Sequence, residues 1–345
     1  MGAIASPEYV QTSLAAALSL GLKKGSFKQG VFLTGLNILL VYKNPCAGRC
    51  AYCGITASKK EKKSTFIRVK WPVYRLDDIL EAAQNVPNRF ERVCVSMVTD
   101  ARAIDDTACM VQKIKSSLNF PISILLAPTV IQSKTVLKDF RQAGADKVGI
   151  AIDTATKGLF EKYRGKGVDG PHQWEKYWDV LSDAIDVFGR YNAGIHLICG
   201  LGESEKEMVD CIKKAHAMGA KTHLFSFFAE PDTLLEDLKQ PQLSSYRKIQ
   251  IARYLINEKK RNSGAIHFDD AGNITGFDAD IDALIEEGYA FMTSGCEGKN
   301  SRYAACNRPL ANERPSQAFR NYPYEPKEAD KDKIREQVSS IANDR

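Results

Sequence analysis

The chain has 345 residues, of which 44% are hydrophobic, and this is enough for one large globular domain with modest extensions. The formal net charge of +6 is mild, and basic and aromatic residues do not interleave as in grooves for single-stranded nucleic acid. No apolar stretch is long enough to span a bilayer, and no cleavable signal pattern is found. Nine irregularly spaced cysteines do not match a secreted disulfide framework and favour a reducing compartment. We therefore expect a cytoplasmic protein that binds neither nucleic acid nor membrane.

The predicted elements begin with an amphipathic Ala/Leu helix over 9–22. From residue 31 onward, short β-branched segments alternate with longer amphipathic ones. Strands are predicted at 31–41, 92–98, 122–127, 147–152, 194–199, 223–229 and 265–268. Helices are predicted at 76–83, 107–118, 134–143, 173–188, 205–218, 245–260 and 281–287, with helix C-caps at Gly144, Gly189 and Gly219. This alternation is typical of an α/β protein with a parallel sheet, most simply a closed or nearly closed (β/α) barrel, and an open doubly wound sheet is the alternative.

The domain organisation follows from the same pattern. Residues 1–30 form an N-terminal helical extension, and residues 31–290 form the barrel. Residues 291–345 form a C-terminal extension that is rich in Pro and Tyr and has few apolar periodicities, so we expect it to be held by something other than its own core. A charged tail starts at residue 328.

The most informative motif is Cys46-x3-Cys50-x2-Cys53, directly after the first barrel strand. Three thiolates at this spacing reach three corners of one iron–sulfur cube and leave the fourth iron open for a substrate. A structural zinc site is the alternative, but it needs four ligands. Only one C-x2-C pair is present, and no histidine lies within a hundred residues of it. The motif therefore favours an iron–sulfur cluster that takes part in chemistry.

Polar or glycine-rich segments follow other predicted strands at the same position, namely Thr99-Asp100, Asp153-Thr154 and Gly200–Glu203. In barrels of this kind, active residues lie on the loops after the carboxyl ends of the strands. The cysteine motif and these three segments therefore predict one site at that end of the barrel.

With Tyr52 before its last cysteine, the motif resembles that of the radical S-adenosylmethionine (SAM) superfamily. The resemblance implies a TIM-type barrel in which Cys46, Cys50 and Cys53 hold a [4Fe-4S] cluster. It implies that SAM chelates the open iron and is cleaved to a 5′-deoxyadenosyl radical, which takes a hydrogen atom from an unreactive carbon. The SAM contacts that it implies are Tyr52, Thr99, Asp153, Gly200 and Glu203.

Over residues 15–335 the sequence resembles the biotin synthase branch, and its last part resembles the two-protein lipoyl synthases. That resemblance implies a second, auxiliary [4Fe-4S] cluster as the sulfur source, held by Cys94, Cys296 and Cys306. It implies an octanoyl chain on a carrier-protein lysine as substrate, and as partners a second lipoyl synthase component and an electron donor such as ferredoxin. The segment 265–268 offers no arginine where biotin synthase has an arginine ligand, and Cys199 does not match that enzyme's strand-five cysteine. The sequence does not indicate the fourth ligand of the auxiliary cluster. It also does not indicate at which of the two sulfur positions of the octanoyl chain, C6 or C8, the protein would act.

Other interpretations stay open. The chain could be another biotin-synthase-like enzyme, either a biotin synthase or a small-molecule carbon-skeleton mutase, or it could be a non-catalytic metal-binding scaffold. Cys109 and Cys211 are interpreted as small hydrophobic residues on helices. The aromatic segment 225–228 suits an acyl chain, and Lys59–Lys63 is either a solvated loop or a docking site for an acidic carrier.

Overall fold

The computed structural model describes residues 4–27, 31–56, 65–66, 69–258, 266–299, 304–313 and 316–339. The lysine run Lys59–Lys63 lies outside the described residues. The strands, in chain order, are β1 (Tyr9–Thr12), β2 (Gly35–Leu40), β3 (Thr65–Phe66), β4 (Val69–Lys70), β5 (Val73–Arg75), β6 (Arg92–Ser96), β7 (Ile122–Leu126), β8 (Lys147–Asp153), β9 (Ala193–Cys199), β10 (Lys221–Ser226), β11 (Ile266–Phe268) and β12 (Ile274–Phe277).

The helices are α1 (Leu14–Ser19), α2 (Leu76–Gln84), α3 (Ala103–Ser117), α4 (Lys134–Ala143), α5 (Lys157–Tyr163), α6 (Trp174–Phe188), α7 (Glu205–Met218), α8 (Leu243–Asn257), α9 (Ile281–Glu287), α10 (Arg308–Asn312) and α11 (Glu328–Ser339). Single 3-10 turns occur at Pro128–Val130, Lys166–Val168 and Tyr289–Phe291.

The main sheet of the described chain has eight strands in the order β10-β9-β8-β7-β6-β2-β1-β5. Strands β2 and β6 to β10 are parallel, and β1 pairs antiparallel with both β2 and β5. Side chains such as Ile38, Val95, Ile124 and Ile150 are fully buried, as expected for parallel strands that are covered on both faces. The fold is therefore an α/β partial barrel of the TIM type, which confirms the predicted class.

The N-terminal segment differs from the prediction. Residues 9–12 form strand β1, and only residues 14–19 are helical. The backbone of β1 satisfies its hydrogen bonds against both β2 and β5, and this tertiary pairing overrides the helical pattern of the sequence. Ser13 starts the short helix by accepting a hydrogen bond from Ala16 N at 3.1 Å.

The prediction of a seventh barrel strand at 265–268 is wrong. The described part of that segment, β11, pairs antiparallel with β12 in a separate hairpin. Strand β10 is instead an edge of the sheet, and side chains bond its backbone. Ser294 Oγ accepts from Leu224 N at 2.8 Å, and Asn257 donates to the Thr222 carbonyl at 3.3 Å. These bonds occupy backbone groups that a further strand would use.

The C-terminal extension packs against α8. Phe291, Tyr322 and Ile334 form a small core with Ile251 and Leu255 of that helix. Beside this core, the buried Arg247 donates to the carbonyls of 319 and 320 at 2.8 and 2.6 Å. The extension is therefore ordered partly by a core that it shares with the barrel.

Within the described residues, no helix is long and apolar enough to cross a membrane.

Candidate active site

The cysteine motif lies on the loop 44–56 after β2, at the carboxyl end of the parallel strands. Two neighbouring elements hold the backbone of this loop. Ala47 N–H donates to the Thr99 carbonyl at 3.0 Å, and Ala51 N–H donates to the Tyr163 carbonyl at 2.9 Å. The loop is therefore fixed between the end of β6 and the end of α5.

The three motif thiols line one cavity. Cys46 Sγ accepts backbone N–H bonds from Thr99 at 3.2 Å and from Gly48 at 3.4 Å, and such donors stabilise a thiolate. Burial raises the pKa of both the Cys50 and the Cys53 thiol. Metal binding must displace these protons, so assembly of a thiolate-bound centre releases protons here.

The donor set fits a cluster better than a single ion. In the part of the chain that the structure describes, no three His, Cys, Asp or Glu side chains converge tightly enough to hold one metal ion. A cubane cluster has no such requirement, because each thiolate binds a different iron. Gly48 keeps the space beside the thiols free, since a Cβ there would lie 3.0 Å from His172 Nε2 and 3.3 Å from Cys46 Sγ.

His172 is a buried neighbour of the motif that the sequence did not reveal. Its Nε2 lies 3.4 Å from Cys50 Sγ, and its Nδ1 lies 2.5 Å from Thr129 Oγ1 and 2.8 Å from the Tyr177 hydroxyl. Arg164 donates to the Tyr177 oxygen at 3.2 Å, so the Tyr177 proton is free to point at Nδ1. In the tautomer with the ring proton on Nε2, this nitrogen donates to the Cys50 sulfur. Burial, with the nearby Arg164 charge, lowers the pKa of His172 to about 2, so the ring is neutral.

Asp153 ends β8 and lines the same cavity. Tyr52 donates to its carboxylate at 2.6 Å, and the Arg164 guanidinium lies 3.4 Å away. Arg164 also donates to the Ile152 carbonyl at 2.9 Å. Asp153 has a φ of +66°, which is unusual for a residue other than glycine and is typical of functional sites held by their surroundings. Tyr52, Asp153 and Thr99 are therefore brought together around the motif.

Gly200 and Glu203 lie after β9 but do not line the cavity. The Glu203 carboxylate instead accepts the N–H groups of Gly200 at 2.6 Å and Leu201 at 3.0 Å. Burial raises its pKa. A Cβ at Gly200 would lie 2.5 Å from Pro241 Cδ, so glycine is needed there for packing against the loop after β10. Both residues therefore shape the turn after β9.

The cavity has a volume of about 180 Å³ and mostly apolar walls. The predicted aromatic segment contributes Phe225, Phe227 and Phe228 to them. Two buried cations of the described chain line the cavity: Arg164, which is paired with Asp153, and Arg308 of α10, which donates to Ser96 Oγ at 2.9 Å. No carboxylate among the described residues is within ion-pair distance of Arg308.

A second group of cysteines lies deeper in the barrel. Cys94 of β6 packs against Cys296 and Cys306 of the C-terminal extension, and all three are buried. They line a small cavity of about 20 Å³ together with His223 of β10 and other side chains. The structure thus brings together the three cysteines that the sequence predicted as auxiliary ligands, from segments two hundred residues apart.

The loop that carries Cys296 and Cys306 crosses the amino ends of the strands. Glu297 forms ion pairs with Lys147 at 2.6 Å and with Lys221 at 2.9 Å, the first residues of β8 and β10. At the other side, Asn307 Oδ1 accepts from the N–H groups of Thr34 and Gly35, both at 3.2 Å. These contacts close the lower end of the barrel and fix the two cysteines inside it.

The two cavities are adjacent. Leu125, His196 and Phe225 line both of them. Cys94 precedes Thr99, whose N–H donates to Cys46 Sγ, by five positions, so the Cα atoms of residues 94 and 99 are at most about 18 Å apart.

A family model described as "Radical SAM superfamily" matches residues 41–233, which is more than half of the chain. The chain therefore belongs to the radical SAM superfamily. This family uses a [4Fe-4S] cluster and SAM, and the arrangement around Cys46, Cys50 and Cys53 fits both. A comparison with curated proteins found no match.

Several solved structures share the fold at low identity. Methylornithine synthase (PylB) is 16% identical with a TM-score of 0.48, and the alignment covers 69% of this chain and 68% of that one. The FeFe-hydrogenase maturase HydG from Carboxydothermus hydrogenoformans is 15% identical with a TM-score of 0.49, covering 70% and 55%. Coproporphyrinogen III oxidase (HemN) from Escherichia coli is 14% identical with a TM-score of 0.38, covering 58% and 46%. None of these three is a lipoyl synthase, and likenesses this low carry no argument about substrate.

Proposed function

We propose that this radical SAM protein is a sulfur-insertion enzyme and one component of a two-protein lipoyl synthase. When bound, the first cluster and SAM supply a 5′-deoxyadenosyl radical, and an auxiliary iron–sulfur cluster on Cys94, Cys296 and Cys306 supplies the sulfur. The observation that carries the proposal is the meeting of these three buried cysteines directly beneath the substrate cavity. A centre bound by these three thiols would also couple the folding of the extension to metal binding.

The shape of the upper cavity supports an acyl substrate. Its walls are mostly aliphatic and aromatic, which suits an apolar chain. Tyr52 and Asp153 line this cavity as a hydrogen-bonded pair, and the carboxylate suits the ribose hydroxyls of SAM. The proposed partners are an octanoylated lipoyl-carrier domain, a second related protein and an electron donor such as ferredoxin. Docking of the carrier at Lys59–Lys63 remains part of this proposal.

Anaerobic iron and sulfide counting tests the proposal. The reconstituted chain should hold about eight irons, twice the four of one cube. Cys296→Ala should reduce this to about four, whereas Cys211→Ala, a matched buried cysteine on α7 outside both cavities, should keep eight. A value near four that Cys296→Ala does not alter would remove the sulfur donor.

Substrate assays complete the test. With reductant and a second related protein, an octanoyl-lysyl peptide or lipoyl domain should gain sulfur. Conversion of dethiobiotin, with no reaction on any octanoylated peptide, would overturn the lipoyl assignment and leave the radical chemistry standing. Absence of SAM cleavage under strong reductant would favour a non-catalytic scaffold.

A second candidate is a biotin-synthase-like enzyme that acts on a small free acid, including a carbon-skeleton mutase. The specific observation in its favour is Arg308, a buried cation in the cavity whose bonded partner, Ser96, is neutral. A guanidinium in this setting suits a carboxylate, which an octanoyl amide does not have.

A further inference from the structure

His223 is the one imidazole on β10, and it faces the three lower cysteines. Its Nδ1 lies 2.8 Å from the Ser294 carbonyl oxygen. A carbonyl oxygen only accepts hydrogen bonds, so Nδ1 carries a proton and the lone pair of the neutral ring is on Nε2. Nε2 lies 4.0 Å from Cys296 Sγ in the cavity that Cys94 and Cys306 also line.

This is the arrangement of a metal-binding histidine. Such residues usually donate the second ring N–H to a backbone carbonyl, which fixes both the tautomer and the ring orientation. Glycine on the neighbouring strand leaves room for the ring, because a Cβ at Gly194 would lie 2.9 Å from His223 Nε2. The carbonyl that orients the ring belongs to Ser294, two residues before Cys296, so one segment supplies both a thiol and the orienting group.

His196 offers a comparison within the same cavity. It lies beside His223 on β9 in register, with ring centroids 5.3 Å apart. Within the described residues, however, no hydrogen bond to a carbonyl orients the His196 ring. The two histidines are therefore both buried in the same surroundings, but only the His223 ring is oriented for metal binding by a backbone carbonyl.

We propose that His223 Nε2 is the fourth protein ligand of the auxiliary centre, which then has a Cys3His set with Cys94, Cys296 and Cys306. A two-iron or four-iron cluster that is ligated by protein alone takes four ligands, unlike the first cluster with its open iron, so three cysteines here leave one position to fill. Imidazole is neutral where thiolate is charged, and histidine ligation raises the reduction potential of a cluster. This inference rests on the auxiliary cluster of the proposed function. Because Cys3His also suits structural zinc, the test must identify the metal.

The test uses the full chain with Cys46, Cys50 and Cys53 all changed to Ala, so that only the auxiliary centre binds. After anaerobic reconstitution with iron, sulfide and zinc together, iron, sulfide and zinc are counted. The reduced sample, labelled with 15N-histidine, is then examined by pulsed EPR. We expect iron and sulfide, with the 15N coupling of a coordinated imidazole. His223→Ala should abolish this coupling, and His196→Gln should keep it.

His223→Cys is a second variant that keeps the test informative if His223→Ala does not fold. It should retain the cluster, lose the imidazole coupling and shift the reduction potential downward. Iron and sulfide without imidazole coupling in the parent, or a coupling that survives in both His223 variants, would overturn the ligand assignment alone. Zinc without iron, or no bound metal, would overturn the auxiliary cluster and therefore the sulfur-insertion proposal as well.

Discussion

Of the side-chain hydrogen bonds that join the described part of the C-terminal loop to residues 32–35, one runs from Thr34 Oγ1 to the Ala305 carbonyl at 2.9 Å, and the other three involve Asn307. Asn307 accepts from the N–H groups of Thr34 and Gly35, both at 3.2 Å, and donates to the Phe32 carbonyl at 3.1 Å. The side chain is buried, with 1% of its surface exposed. Asn307→Ala removes all three bonds and leaves two backbone donors facing an apolar gap.

The expected cost follows from these contacts. At about 1 kcal/mol of net stability per hydrogen bond, the loop loses about 3 kcal/mol against local opening. Since 1.4 kcal/mol is a factor of ten, the open fraction of the loop should rise roughly 100-fold. The amides of Ala305 and Cys306, which bond to the Cys296 carbonyl in the closed loop, report this opening directly.

Hydrogen exchange measured by mass spectrometry on the iron-free full-length chain is the assay. Peptides with Ala305 and Cys306 should exchange about 100-fold faster in Asn307→Ala, while peptides of β7 and β8 stay unchanged. Asn312→Ala is the matched control, because Asn312 is also buried on the same extension but its Oδ1 has no bonding partner. Equal protection of Ala305 and Cys306 in the parent and Asn307→Ala would refute the argument. After reconstitution, the variant should hold about four irons instead of about eight, since two auxiliary cysteines lie on the released loop.

Three further predictions concern other parts of the site. Changing Cys46, Cys50 and Cys53 together to Ala should leave the circular dichroism spectrum intact and abolish 5′-deoxyadenosine formation; product at the parent rate would contradict the assignment. His172→Phe removes an N–H donor to a cluster thiolate, so the potential of the first cluster should fall in a redox titration and SAM cleavage should slow; an unchanged potential would show that the ring does not bond the sulfur. Burial alone would raise the pKa of Glu297, but its two lysine partners lower it to about 2. A depressed carboxylate pKa contributes stability that is present above its ordinary value of 4.5 and is lost as pH falls towards 2. Urea unfolding of the iron-free chain should show that the free energy of unfolding falls between pH 4.5 and pH 2 in the parent and falls less in Glu297→Gln. The same dependence of this free energy on pH in both proteins would contradict the prediction.

The repeating strands and helices of the barrel could be predicted from the sequence because their signal is local. The run 122–127 is apolar except for Ser123, and Gly144 and Gly219 end helices with positive φ, as expected. The segment 9–12 could not be predicted, since its strand conformation depends on partners 25 or more residues away. The same holds for 266–268, where a hairpin partner eight residues later competes successfully with the sheet.

In the site, cysteine spacing revealed the first metal-binding group, but single residues without a motif were missed. His172 and Arg164 carry no sequence signal, and only the fold brings them to the cysteine loop. Arg308 stands next to Asn307 in a segment already noted for its cysteine, yet nothing local indicates that its side chain turns into the cavity. The hydrogen bonds from the N–H groups of Gly200 and Leu201 to Glu203, which is expected to contact SAM, could likewise not be predicted from the sequence.

Arg308 decides between the two candidate functions, because only one of the substrates has a carboxylate. Its guanidinium stacks 5.3 Å from the Phe66 ring centroid and 5.6 Å from that of Trp71, so the cation is held in place without an anionic partner among the described residues. A charge-assisted bond to a substrate carboxylate contributes about 1.5–3 kcal/mol, so Arg308→Gln should raise KM for a free acid by roughly 10- to 100-fold. For the octanoyl amide that we propose as substrate, KM should change by less than about threefold, because this neutral group forms no ion pair with Arg308. Steady-state kinetics on octanoyl-lysyl peptide and dethiobiotin, with Arg308→Lys as the charge-conserving control, measure both cases. A large rise in KM that is specific to a free acid, and that lysine partly restores, would refute the lipoyl assignment and establish Arg308 as the carboxylate anchor.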